Sequence, residues 1–107
     1  MSLDVSLNAV RKTEVFSANI THNLGKMAER AGIYKHLWEP ETIGITKAGQ
    51  LVEPLKNGLE KMKSNPSEFE KDNSPNGWGL YENFVPWIEK YLNACIKNPD
   101  AEISVWR

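Results

Sequence analysis

One stretch constrains the fold more than any other. Between Tyr81 and Cys95 the apolar residues Tyr81, Phe84, Val85, Ile88, Tyr91, Leu92 and Cys95 recur at steps of three and four, with Trp87 and Ala94 on the flank. That is the period of an α-helix with one broad buried face. A helix of this kind must cover an apolar surface, which makes it the organiser of the core. Pro86 is harmless if Asn83 caps the helix and the proline lies in its first turn, but bends the helix if it begins near Leu80. Asn98-Pro99-Asp100 ends it.

The surface to be covered is read from shorter patterns. Leu3, Val5 and Leu7 alternate with Ser2, Asp4 and Ser6, the period of a strand with one buried face. A second strand follows from Glu14 to Ile20, with Phe16, Ala18 and Ile20 on one side, after a turn at Arg11-Lys12-Thr13. Glu102 to Arg107 alternates as a last strand. Leu24, Met27, Ala28 and Ala31 step like a short helix that Gly32 can terminate, with Thr21 or Asn23 as its cap. The segment 33–46 has no clean period and reads mostly as loop. Ala48, Leu51, Val52, Leu55, Leu59 and Met62 trace one further helix, with a kink or break expected at Pro54. The stretch 64–79 reads as a long connection holding one helical turn around Phe69, and the run Glu68-Phe69-Glu70-Lys71-Asp72 as solvated surface. The predicted class is α+β in the order β-β-α-α-α-β: a small sheet of about three strands covered by helices, with the last strand beside the first ones.

At 107 residues the chain is long enough for one core and reads as a single domain, 1–107. Its 13 basic and 14 acidic residues give a net charge of -1, so general nucleic-acid binding is not expected. No apolar run approaches the roughly 20 residues that span a bilayer, and the start of the chain lacks the pattern of a secretory signal; a cytoplasmic location is expected. Cys95, the only cysteine, lies in the helical stripe and reads as a buried, inert thiol. With two histidines, His22 and His36, no His-rich metal site can form. A mixed site with Glu39, Glu41 or Glu82 has no supporting ligand spacing, so neither metal nor cofactor is expected.

Two polar patches stand out. The first is Asn19-Ile20-Thr21-His22-Asn23, at the predicted passage from strand to helix. Such a junction exposes unpaired amides, so Asn19, Thr21, His22 and Asn23 are candidate ligand-binding residues. The simpler reading, which these residue types favour, is a helix cap with His22 bonded locally to backbone. The second is Asn76-Gly77-Trp78-Gly79-Leu80-Tyr81-Glu82, which contributes the candidates Asn76, Trp78, Tyr81 and Glu82. Trp78 reads either as a stacking or lid residue or, as large aromatics favour, as a plug sealing the core beneath the loop. The standard phosphate-loop, nucleophile-elbow, zinc-protease and dithiol motifs are absent from the sequence.

On the segments Asn19-Ile20-Thr21-His22-Asn23, Asn76-Gly77-Trp78-Gly79-x-Tyr81-Glu82 and Asn98-Pro99-Asp100-Ala101, the chain resembles a group of small uncharacterised bacterial and phage-encoded proteins. The resemblance spans most of the chain and implies a phage, prophage or accessory-gene setting.

The leading expectation is a non-enzymatic binding or accessory domain that engages a small ligand or protein partner through the His22 junction or the Trp78 loop. The alternative is a small enzyme using His22 as general acid or base. A third reading is a homodimer joined by exposed Trp38, Trp78 and Trp106. The two patches are expected to converge in space, with Trp78 over His22 and Glu82 within reach of it.

Overall fold

The computed structural model describes residues 2–9 and 13–107. Its sheet has strands β1 (Ser2–Asn8), β2 (Glu14–Thr21) and β3 (Glu102–Trp106), all antiparallel in the order β2-β1-β3. The first strand is therefore central and the last lies at its flank. The residues expected to form the turn, Arg11 and Lys12, lie outside the described residues.

Register follows from the alternation in sequence, because side chains on paired residues share a face. Leu3, Val5 and Leu7 lie opposite Ile20, Ala18 and Phe16 on β2, and Val5 and Leu7 oppose Val105 and Ile103 on β3. These residues form the covered face. Ser2, Asp4, Ser6, Ser17, Asn19, Ser104 and Trp106 consequently point the other way.

The helices are α1 (Gly25–Arg30), α2 (Tyr34–Trp38), α3 (Val52–Ser64), α4 (Pro66–Glu70) and α5 (Tyr81–Lys97). In α5 the predicted stripe is the buried one: Phe84, Ile88, Tyr91, Leu92 and Cys95 face the core, while Tyr81 and Val85 lie half-buried at its edge. The helix contacts α3 and β2, and Phe16 stacks on Tyr91 at 5.8 Å. Leu80 is the residue before the first helical turn, which places Pro86 inside the helix. Proline lacks the amide that would meet the Glu82 carbonyl, so the ladder is interrupted there.

Three expectations are corrected. The segment 33–46 is not mostly loop: it folds into α2 and a 3-10 turn at Pro40–Ile43, burying Leu37 and Trp38. Five residues are too few to display a helical period, so the sequence pattern was silent there. The stripe from Ala48 to Met62 is divided between a 3-10 turn, Ala48–Leu51, and α3, with Pro54 in the first turn of α3. An amide in that turn has no intrahelical acceptor, so proline is accommodated. Finally, the run 68–72 is not all solvated. Phe69 is buried in the core, and the Asp72 side chain is 3% exposed, held by Arg30 at 3.2 Å and Lys26 at 3.9 Å. Among the described residues no helix is long and apolar enough to cross a membrane.

Candidate functional site

The passage out of β2 is a 3-10 turn, His22–Leu24, that leads directly into α1. Thr21 supplies the cap: its Oγ1 accepts from the Asn23 backbone N–H at 3.2 Å. The cap frees the Asn23 side chain, whose Nδ2 donates to the Trp78 carbonyl at 2.7 Å. This bond joins two segments separated by more than fifty positions and brings the two polar patches together, as expected.

The Trp78 loop has a shape of its own. Asn76 Oδ1 accepts from Ser74 Oγ at 2.6 Å and from the Trp78 backbone N–H at 2.9 Å, closing a turn around Gly77. Asn73 Oδ1 accepts from the Tyr81 N–H at 2.7 Å and so satisfies a donor at the start of α5. Gly79 has φ +125°, and a Cβ at that position would lie 2.9 Å from Asn23 Cβ. Only glycine lets the loop approach the junction this closely.

Held in this way, Trp78 is 70% exposed. The plug reading is therefore overturned: the indole stands in solvent and takes no part in the buried core. Beneath it lies an open cleft of about 800 Å³, lined by Asn19, Thr21, His22, Asn23, Asn76 and Trp78 together with Ser2 and Ile20. Six of the eight candidate residues meet there. Tyr81 and Glu82 do not line it: Tyr81 is half-buried with its hydroxyl donating to the Met62 carbonyl at 3.0 Å, and Glu82 sits exposed on the first turn of α5.

His22 does not bond to local backbone. Its Nδ1 accepts from Trp38 Nε1 at 2.7 Å, and Trp38 is stacked on Tyr34 at 5.2 Å and is 2% exposed. Trp38 is thus a core residue and not part of an exposed interface. An indole N–H can only donate, so the Nδ1 lone pair is committed and a neutral ring carries its proton on Nε2. Asn19 is fixed on the outer face of the sheet, its Nδ2 donating to Ser2 Oγ at 2.8 Å and to Asp4 Oδ1 at 2.6 Å. That leaves its carbonyl oxygen as an acceptor.

The cleft lining contains, among the described residues, no Asp, Glu, Lys or Arg. Among the described residues no three His, Cys, Asp or Glu side chains are grouped so as to hold a metal ion. Cys95 is buried, and burial pushes its thiol up to about 12, which leaves no thiolate for chemistry near neutral pH. Sequence reasoning missed Ser2, Ile20 and the Trp38 support. Ser2 lies opposite Thr21 across the β1–β2 ladder, so a known register would have found it, and Ile20 lies in the chain between the candidates Asn19 and Thr21. Nothing in the sequence pairs Trp38 with His22. No protein-family model, curated protein or solved structure matches this chain.

Proposed function

We propose that this chain is a non-enzymatic binding module, of the accessory, phage-related kind its sequence resemblance implies, which holds an uncharged, hydrogen-bonding ligand with a flat face in the Trp78–His22 cleft. One observation carries the reading: Trp78 is 70% exposed, yet its backbone is pinned to Asn23 above a cleft with no charged lining residue among the described ones. Exposing a large apolar side chain forgoes burial on the order of 1.5–3 kcal/mol, and fixing the Trp78 backbone prepays part of the ordering that a stacking contact otherwise costs. The amides of Asn19 and Asn23, the Thr21 hydroxyl and His22 supply directional donors and acceptors around it, the composition expected of a small-ligand site.

The alternative, His22 as a general acid or base, has less support. Its Nδ1 is occupied by Trp38, where a catalytic imidazole is commonly oriented by a carboxylate, and among the described residues no carboxylate lines the cleft. The test is a titration of wild type and Trp78→Ala with adenosine, glucose and N-acetylglucosamine, followed by ligand-observed NMR. Binding of at least one probe, lost in a folded Trp78→Ala protein, is expected. Unchanged binding by that variant counts against the reading.

A further inference from the structure

We infer that the outer face of the sheet carries a second stacking platform, Trp106, continuous with the Trp78 cleft, and that the two together bind a linear neutral oligosaccharide. This deepens the binding reading above and rests on it at the Trp78 end.

The placement follows from register. Val105 opposes the buried Val5, so Trp106, one residue on, faces outward beside Asp4, and it is 70% exposed. Asp4 in turn opposes Asn19, so Trp106, Asp4 and Asn19 form one row across all three strands. Two strand spacings make that row about 10 Å long. A groove of about 260 Å³ runs along it, bounded by Trp106, Asp4, Ser6, Ser17 and Asn19. Asn19 lines both this groove and the Trp78 cleft, and Ser2, its hydrogen-bond partner, lines the cleft as well. A chain-like ligand can therefore stack on Trp106, cross Asn19 and reach Trp78 over one uninterrupted polar surface.

Charge selects among chain-like ligands. Among the described residues the ionisable ones of the groove are Asp4 and Glu14, and the cleft has no charged residue. The neighbouring cations among the described residues are engaged elsewhere: Arg107 pairs with Glu41 and donates to the Trp38 carbonyl, and Lys47 pairs with Glu102. A nucleic-acid strand or a polyuronate would meet carboxylates and, among the described residues, no free cation, whereas single-strand binders pair their aromatic platforms with a basic groove. A polycation would find two carboxylates in the groove, Asp4 and Glu14, but, among the described residues, no anion in the cleft to hold it at the Trp78 end. A second copy of this chain would need a broad apolar contact centre, and beside Trp106 the side chains of this face are mainly serine, asparagine and aspartate. Neutral sugars fit all of these features: the C–H faces of pyranose rings stack on indole, and their hydroxyls both donate to Asp4 and the Asn19 carbonyl and accept from serine and threonine hydroxyls.

The test is isothermal titration of the whole chain with glucose and N-acetylglucosamine and with cellotetraose, chitotetraose, maltotetraose and xylotetraose. It compares wild type, Trp78→Ala and Trp106→Ala, with folding verified by circular dichroism. We expect at least one tetrasaccharide to bind about tenfold or more tighter than its monosaccharide, as linked contacts do. Trp106→Ala should remove that gain while leaving the monosaccharide affinity in place, and Trp78→Ala should abolish both. A tetrasaccharide that binds no tighter than its monosaccharide, or a gain that survives Trp106→Ala, overturns the extended platform. The cleft reading then still stands on the Trp78→Ala loss. Failure of every saccharide overturns the sugar class even where adenosine binds the cleft. Binding of oligo(dT) at physiological salt, or a Trp106-dependent dimer in light scattering, assigns the face to another partner and overturns the proposal.

Discussion

Trp38 Nε1 donates to His22 Nδ1 over 2.7 Å, so a buried helix residue orients a ring at the edge of the cleft. Trp38→Phe keeps the stacking on Tyr34 and removes only the donor and part of the indole. Leaving a part-buried acceptor unpaired costs about 1–3 kcal/mol. Urea unfolding should register that loss, and ¹⁵N spectra of His22 should change from a single Nε2–H tautomer to a mixture. A loss under about 0.5 kcal/mol with an unchanged tautomer would show that the bond does not hold the ring.

Gly79 and Gly77 both have positive φ, but they differ in what surrounds them. A Cβ at Gly77 meets nothing within 4 Å, whereas one at Gly79 meets Asn23 Cβ at 2.9 Å. Gly77→Ala should cost about 1–2 kcal/mol from backbone strain alone. Gly79→Ala should cost more and should also separate the Trp78 loop from Asn23, weakening any ligand that Trp78→Ala weakens. Equal effects of the two substitutions in thermal melts and titrations would refute the close approach as the reason for glycine.

Phe84 is fully buried on the face of α5 that meets the sheet and α3. Phe84→Ala should lower the unfolding free energy by about 3–5 kcal/mol, the range for large-to-small core changes. A loss below about 1 kcal/mol in urea would remove Phe84 from the core.

Stability should form a plateau with falls on both sides. Burial holds the His36 imidazole below its ordinary value of 6.5, with the Gly32 carbonyl pulling weakly the other way. The unfolded chain therefore binds the extra proton first, and stability falls as pH drops below about 6.5. On the alkaline side, burial pushes Cys95 up to about 12 from 9.0 and raises the Tyr91 phenol, to which Cys95 adds. The unfolded state loses those protons first, so stability falls as pH rises above about 9. Urea midpoints measured from pH 5 to 11 should trace this shape. In the same preparation Cys95 should resist iodoacetamide at pH 8 until urea unfolds the chain. Rapid labelling of the folded protein would contradict the burial.

The elements were legible where the chain repeats a period long enough to read. The alternation of Leu3, Val5 and Leu7 and the stripe from Phe84 to Cys95 each name a buried face, because an apolar side chain on a regular element has only one dry side to occupy. The same logic located Gly32 as a helix stop, and it lies at φ +79°. It was silent on α2, which is too short for a period, and it misread Trp78, since the preference of aromatics for the interior is an average that a glycine-flanked loop can defy.

The sequence by itself determined which residues could be core, that strands and helices would segregate into an α+β fold, and that two polar patches rich in asparagine and glycine needed a use. Tertiary structure alone decided what those patches meet. Sheet order β2-β1-β3 and the return of the loop before α5 bring Asn23 to the Trp78 carbonyl, leave Glu82 outside the cleft and set Trp38 behind His22. Local periodicity records which way a side chain faces relative to its own element. Which distant segment it then faces depends on how the elements assemble, and that is set by the joint burial of all the stripes at once.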